Sequence, residues 1–153
     1  MKFREFLIKR WEYDRWATGQ IISSMKGQKV TDEYCLQSLS HLLNVNKIWL
    51  DRMKNGSSGK PMNEHMSLEE CERLSSIINT DILEFIRSQH PDHLFSKCRY
   101  RNTKDKIFDD SYMDILTQML NHGEHHRAQV VFRMRSIGAI PPATGYLLYI
   151  HMH

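Results

Sequence analysis

The chain has 153 residues, 41% of them hydrophobic and 25% charged, a composition that fits an ordered globular protein and excludes a disordered one. At this length a fold buries roughly 68–70% of its unfolded surface, so a core needs neither disulfides nor a structural metal, and seven glycines with four prolines are too few for a turn-rich β-sandwich. The formal charge of +3 is too weak a bias to mark a nucleic-acid binder, whereas nine histidines stand out.

Met1 to Arg10 carries Lys2, Arg4, Glu5, Lys9 and Arg10 and no long apolar run, so it does not read as a signal peptide. From about Lys2 to Met25 the residues Phe6, Leu7, Trp11, Ala17, Ile21, Ile22 and Met25 recur near helical spacing, and Gly27 follows as a stop. A second helix is expected from about Asp32 to Lys54, with Thr31 as cap and Asp32 and Glu33 at the positive end of the dipole. It carries two adjoining stripes. Leu36, Leu39, Leu43, Leu50 and Met53 form one, and His41, Val45, Ile48 and Trp49 form the other, which predicts a well-buried helix with more than one neighbour.

Residues 55–66 (NGSSGKPMNEHM) form a loop by composition. Ser67 and Glu70 then match a capping box, opening a third helix to about Gln89 that buries Leu68, Cys71, Leu74, Ile78, Ile82, Phe85 and Ile86. His90-Pro91 stops it. Between His93 and Phe108 the helical period is lost, and Phe95, Cys98 and Tyr100 alternate ahead of a turn at Asn102 to Asp105, which predicts a short β-hairpin. Ser111 can cap a fourth helix to about Ile137, closed by Gly138 and Pro141-Pro142. The tail from Ala143 to His153 is apolar enough to pack back on the body. The expected fold class is all-α, a four-helix bundle with a short β-hairpin before the last long helix, in one domain over residues 1–153.

Cys35, Cys71 and Cys98 are odd in number and form no Cys-x-x-Cys pair, which fits reduced thiols better than a disulfide framework. No segment approaches the roughly 20 apolar residues of a membrane span. A cytoplasmic protein without a membrane or nucleic-acid partner is expected.

The fourth helix holds the informative cluster, Asn121-His122-Gly123-Glu124-His125-His126-Arg127-Ala128-Gln129. His122 and His126 are four residues apart and share a face with Ile115, Met119, Val130, Met134 and Ile137. Two imidazoles on an apolar stripe are costly unless hydrogen-bonded or metal-bound. A pair at this spacing can place two nitrogens on one cation, as in the His-Glu-x-x-His helix of metalloproteases. Here Gly123 follows the first histidine, so the general base of that motif is missing and the protease reading is excluded. His41, on the inner stripe of the second helix, is the best third ligand. Three neutral imidazoles suit Zn, Ni, Fe or Cu better than Mg or Ca. His65, His90, His93, His125, His151 and His153 lie in loops, at helix ends, on another face or at the terminus.

Four segments together resemble the DinB/YfiT-like superfamily of metal-binding four-helix bundles. Tyr13-Asp14-Arg15-Trp16-Ala17 resembles an early Trp-Ala segment of the family. Ser40-His41-Leu42-Leu43 through Trp49 resembles its second-helix histidine, and Asn121-His122 through His126-Arg127-Ala128-Gln129 its His-x3-His-Arg-Gly-Gln signature. Gly138 with Pro141-Pro142 and the aromatic-aliphatic end resembles its closing segment. Ala128 replaces the commoner glycine of the signature, and Gly145 stands where many members have aspartate. The resemblance implies an up-down-down-up bundle, the ligand set His41, His122 and His126, and a homodimer.

Family members with known chemistry transfer bacillithiol or mycothiol to electrophiles, or isomerise maleylpyruvate with mycothiol. The resemblance therefore implies a metal-dependent thiol S-transferase. Its cofactors would be a divalent transition metal (Zn, Ni or Fe) and a low-molecular-weight thiol, with a small-molecule electrophile as substrate. Three protein ligands leave a fourth position open, as in catalytic zinc sites. The competing reading is a non-catalytic bundle whose metal is structural or sensory. The sequence assigns no catalytic residue. Arg127 either holds an anionic substrate or braces the bundle. The run Lys97, Arg99, Arg101, Lys104 and Lys106 either attracts an acidic thiol or is a solvated strand edge. Trp11, Trp16 and Trp49 read as core aromatics, with Trp16 or Tyr13 also able to line a pocket beside the metal.

Overall fold

The start of each later long helix is set by a side chain that accepts from its free N–H groups. At Ser67 the backbone N–H donates to Glu70 Oε2 at 2.7 Å, and Glu70 N–H donates to Ser67 Oγ at 3.2 Å, closing the expected capping box. Ser111 Oγ accepts from Asp114 N–H at 3.0 Å. The second helix is capped by Asp32 and not by Thr31, because Asp32 Oδ1 accepts from Cys35 N–H at 3.1 Å. Asp32 has a second task. Arg133 Nε and Nη2 fork onto its carboxylate at 3.1 and 2.8 Å, and these hydrogen bonds hold it well below the usual carboxylate range, at about 2.

The computed structural model describes residues 2–59 and 65–153. The middle of the loop expected over 55–66 therefore lies outside the described residues. The elements are α1 (Phe3–Gly27), α2 (Glu33–Asn55), α3 (Leu68–Ser88), β1 (Lys97–Arg101), β2 (Ile107–Ser111), α4 (Tyr112–Ser136) and α5 (Tyr146–Met152), with a 3-10 turn over Pro91–Phe95. Gly56, at φ 76°, closes α2 in the left-handed conformation that glycine adopts without penalty.

Cross-helix pairs give the directions. Glu12 pairs with Arg87 and Lys26 with Glu72, so α1 and α3 run antiparallel. Asp14 meets Arg127 and Ser24 meets Ile140, so α1 and α4 run parallel. His41 faces His126 while Trp49 faces Ile115, so α2 and α4 run antiparallel. The bundle is up-down-down-up. No helix among the described residues is long and apolar enough to cross a membrane.

Two apolar clusters fill the bundle. One gathers Leu7, Trp11, Leu50, Ile82, Leu116 and Met119 near the hairpin end, and the other gathers Ile21, Met25, Leu39, Leu43, Cys71 and Val130. Between the stretches given to these clusters, each long helix buries polar side chains: Asp14 and Thr18 on α1, Asn46 on α2, Ser75 on α3 and Arg127 on α4. His122 and His126 fall in the same interval of α4.

β1 and β2 pair antiparallel from Lys97 opposite Ser111 to Arg101 opposite Ile107. Cys98 and Tyr100 point inward, while Lys97, Arg99 and Arg101 point out. Arg99 pairs with Asp109 at 3.2 Å, as expected of a solvated edge. Phe95 is not in the strand but in the preceding 3-10 turn, against Phe3. The tail does pack back, as α5: Tyr149 is buried against Tyr13 and Trp16. Gly145 sits at the N-cap of α5 and offers no side-chain acceptor, the role an aspartate there would fill.

Candidate metal centre

His122 and His126 project from one face of α4 toward α2 because that face continues the buried stripe of Ile115, Met119, Val130 and Met134. Ile137, at the helix end, leaves the stripe and is exposed. His41 meets the pair from α2, with ring centroids 5.2 Å from His122 and 4.7 Å from His126. One potential ligand atom from each of the three histidines lies within 4.8 Å of the others, and all three side chains are half-buried. The second stripe of α2 is likewise only half-buried at Val45, Ile48 and Trp49. At Trp49 it lines a cleft with Ile115 and Gln118 of α4, so α2 is less enclosed than its two stripes predict.

The Nε2 atoms of His122 and His126 stand 3.1 Å apart. Two neutral nitrogens that share no proton would oppose their lone pairs at that distance, and a cation between them removes the conflict. A tetrahedral site with bonds of about 2.0–2.1 Å separates ligand atoms by roughly 3.3 Å, so the spacing fits. The Nδ1 atoms of both residues are buried without a hydrogen-bond partner, so neither ring has the carboxylate or carbonyl acceptor that usually orients a metal-bound imidazole from behind.

Burial first, and then the neighbouring histidines, lower the His122 pKa from its ordinary 6.5 to about 4, and burial also lowers His126. Both are thus held in the neutral form that binds metals. The unfolded chain keeps the higher value, so it binds more protons than the folded chain as the pH falls from about 6.5 toward about 4. Chelator-treated protein is expected to lose thermal stability between pH 7 and pH 5. The drop should be smaller in His122→Gln, and equal pH slopes in thermal melts of the two proteins would refute the assignment.

Arg127 follows His126 but points the other way. Its Nη1 donates to Asp14 Oδ1, and to Thr18 Oγ1 at 3.3 Å, inside the interface with α1. Arg127 and Asp14 are 5% and 2% exposed, which settles Arg127 as a brace of the bundle. Burial pushes the Asp14 carboxyl up, and the Arg127 charge opposes that rise. Gly123 makes room for the pair, because a Cβ there would lie 3.0 Å from Asp14 Oδ1 and 3.2 Å from Arg127 Nη1. The sequence carries a sign of this second face in the run Leu116, Leu120, Gly123 and Arg127, spaced by four, three and four. Tyr13 and Trp16 are committed to the aromatic cluster with α5.

Among the described residues no other three histidine, cysteine or acidic side chains come together as these do. His125 is exposed beside Gln129, His90 and His93 sit at the 3-10 turn, and His153 stacks on Tyr149.

The fold and the site define a helical bundle that can hold a metal ion between two facing helices. The sequence profile of the DinB family matches residues 29–153, and the chain belongs to that family. Protein DinB of Bacillus subtilis (strain 168) is 24% identical, over 97% of this chain and 95% of that protein. The crystal structure of a DinB-like protein from Bacillus cereus shares the fold with a TM-score of 0.63 at 17% identity, covering 91% of this chain and 95% of that one.

Proposed function

We propose that His41, His122 and His126 bind a divalent transition metal, Zn, Ni or Fe, and that the protein is a metal-dependent thiol S-transferase of the bacillithiol or mycothiol type. The observation that carries this reading is the convergence of three half-buried imidazoles from two helices, with ligand atoms within 4.8 Å. A divalent cation held by these three residues would supply Lewis acidity that favours the thiolate form of a thiol at neutral pH. The chain's own residues hold the imidazoles neutral, through burial, and orient them, through the packing of α4 on α2 and α1. Its three cysteines are all buried, and burial pushes the Cys71 and Cys98 thiols up and that of Cys35 to about 12. The nucleophilic sulfur therefore comes from the low-molecular-weight thiol. A cytoplasmic homodimer belongs to the same reading, and exposed Phe132, Ile140 and Leu147 are apolar surface that a second copy would cover.

The test is conjugation of a thiol panel to a chloronitrobenzene. A sulfur–carbon bond forms at the ring, chloride leaves with the electron pair of its bond, and the thiol proton passes to buffer. Metal-loaded protein should accelerate the reaction with the cognate thiol at least about tenfold over His126→Ala, a barrier difference of about 1.4 kcal/mol. Equal rates across the panel would favour the non-catalytic bundle with a structural or sensory metal.

A further inference from the structure

A separate cleft lies along α2 and α4 from the histidines, beside the hairpin. Gln118 precedes His122 by four residues on α4 and Trp49 follows His41 by eight on α2, which is roughly 6 and 12 Å along the helix axes at 1.5 Å per residue. There Trp49, Tyr100, Asp110, Asp114, Ile115 and Gln118 line an open cleft of about 300 Å3. Its lining is unlike the histidine cluster. Trp49 and Tyr100 stand edge to face, centroids 5.0 Å apart. They already receive one organic cation, the guanidinium of Arg52, whose Cζ lies 4.6 Å from the Trp49 ring centre and 5.7 Å from that of Tyr100.

The two carboxylates are the second half of the pattern. Elsewhere on the hairpin Asp109 and Asp105 pair with Arg99 and Arg101. Asp110 and Asp114 have only hydroxyls as side-chain partners among the described residues. Asp110 accepts from Tyr100 OH at 2.7 Å, and Asp114 accepts from Ser111 Oγ at 2.6 Å. Burial, and then Asp110, push the Tyr100 phenol up to about 12, so it stays a donor at neutral pH.

We propose that this cleft binds an organic ammonium group, carried by a small molecule whose other end reaches toward His41, His122 and His126. Two carboxylates against one guanidinium leave a negative surplus that an anion would worsen and a neutral ligand would leave standing. A bare metal ion would want a shell of oxygens, whereas Trp49 and Ile115 give the cleft apolar walls. An ammonium on a hydrocarbon frame meets both the apolar walls and the charge. The inference rests on the metal reading only for the direction in which the ligand extends.

The experiment titrates metal-free protein with phenethylammonium and with phenethyl alcohol, its uncharged counterpart, by calorimetry and tryptophan fluorescence. The ammonium should bind at least about tenfold more tightly, as a charge-assisted contact beside aromatic rings allows. Asp110→Asn/Asp114→Asn keeps the hydrogen-bond acceptors and should erase the preference. Gln118→Lys changes an exposed helix residue, leaves the core intact, and should abolish ammonium binding by placing a cation at the cleft. His122→Ala/His126→Ala should retain the preference, so a failed metal site would not be mistaken for a failed cleft. Equal affinity for the two probes, a preference that survives both cleft variants, or its loss in the histidine variant would overturn the proposal.

Discussion

The double variant His122→Ala/His126→Ala is expected to lose transition-metal affinity by at least about 10⁴-fold. Removing an outer partner of a ligand alone costs about 10–100-fold, and here two of three ligands go together. The consequence reaches stability as well as occupancy. Metal at about 1,000 times its dissociation constant stabilises the folded chain by about 4.1 kcal/mol. For a chain of this size that is a rise of about 8–16 °C in the thermal midpoint. Wild-type protein should show the rise with added Zn or Ni and the double variant should not. Competition with a chromogenic chelator and metal analysis of the purified proteins check the same point, and full occupancy in the double variant would remove the site from consideration. His41→Ala alone should weaken binding sharply, because α2 then contributes no imidazole.

The second large effect lies on the opposite face of α4. Asp14→Ala leaves the Arg127 guanidinium buried without its carboxylate, a loss that costs about 3–5 kcal/mol where one member of a buried pair is removed. The thermal midpoint should fall by about 6–20 °C. Asp14→Ala/Arg127→Met should recover much of that, since apolar replacement of a whole buried pair is often neutral or better. Gly123→Ala acts at the same contact. It gains about 1 kcal/mol of helix propensity but drives a methyl to within 3.0 Å of Asp14 Oδ1, so it should lower stability. A drop below about 1 kcal/mol for Asp14→Ala in urea unfolding would mean that water reaches the pair and screens it.

A helix that turns every 3.6 residues leaves its period in the chain, and for that reason the sequence by itself determined the four long helices. The same period put His122 and His126 on the inner face of the last helix and His41 on an inner stripe of the second. The capping box at Ser67 and Glu70 and the hairpin before α4 were legible for a similar reason, since each depends on residues close together in sequence. Only the tertiary structure decided the rest. Thr31 and Asp32 are both acceptable caps locally, and the choice of Asp32 follows from Arg133, which lies 101 residues away. The role of Arg127 turns on Asp14, 113 residues distant. The half-open second stripe of α2, and the cleft lined by Trp49, Tyr100 and Ile115, are made by surfaces of α2, the hairpin and α4 meeting. Periodicity states which side of a helix faces inward, but which side chain waits there is set by how the helices approach one another, and that approach is a property of the packed bundle.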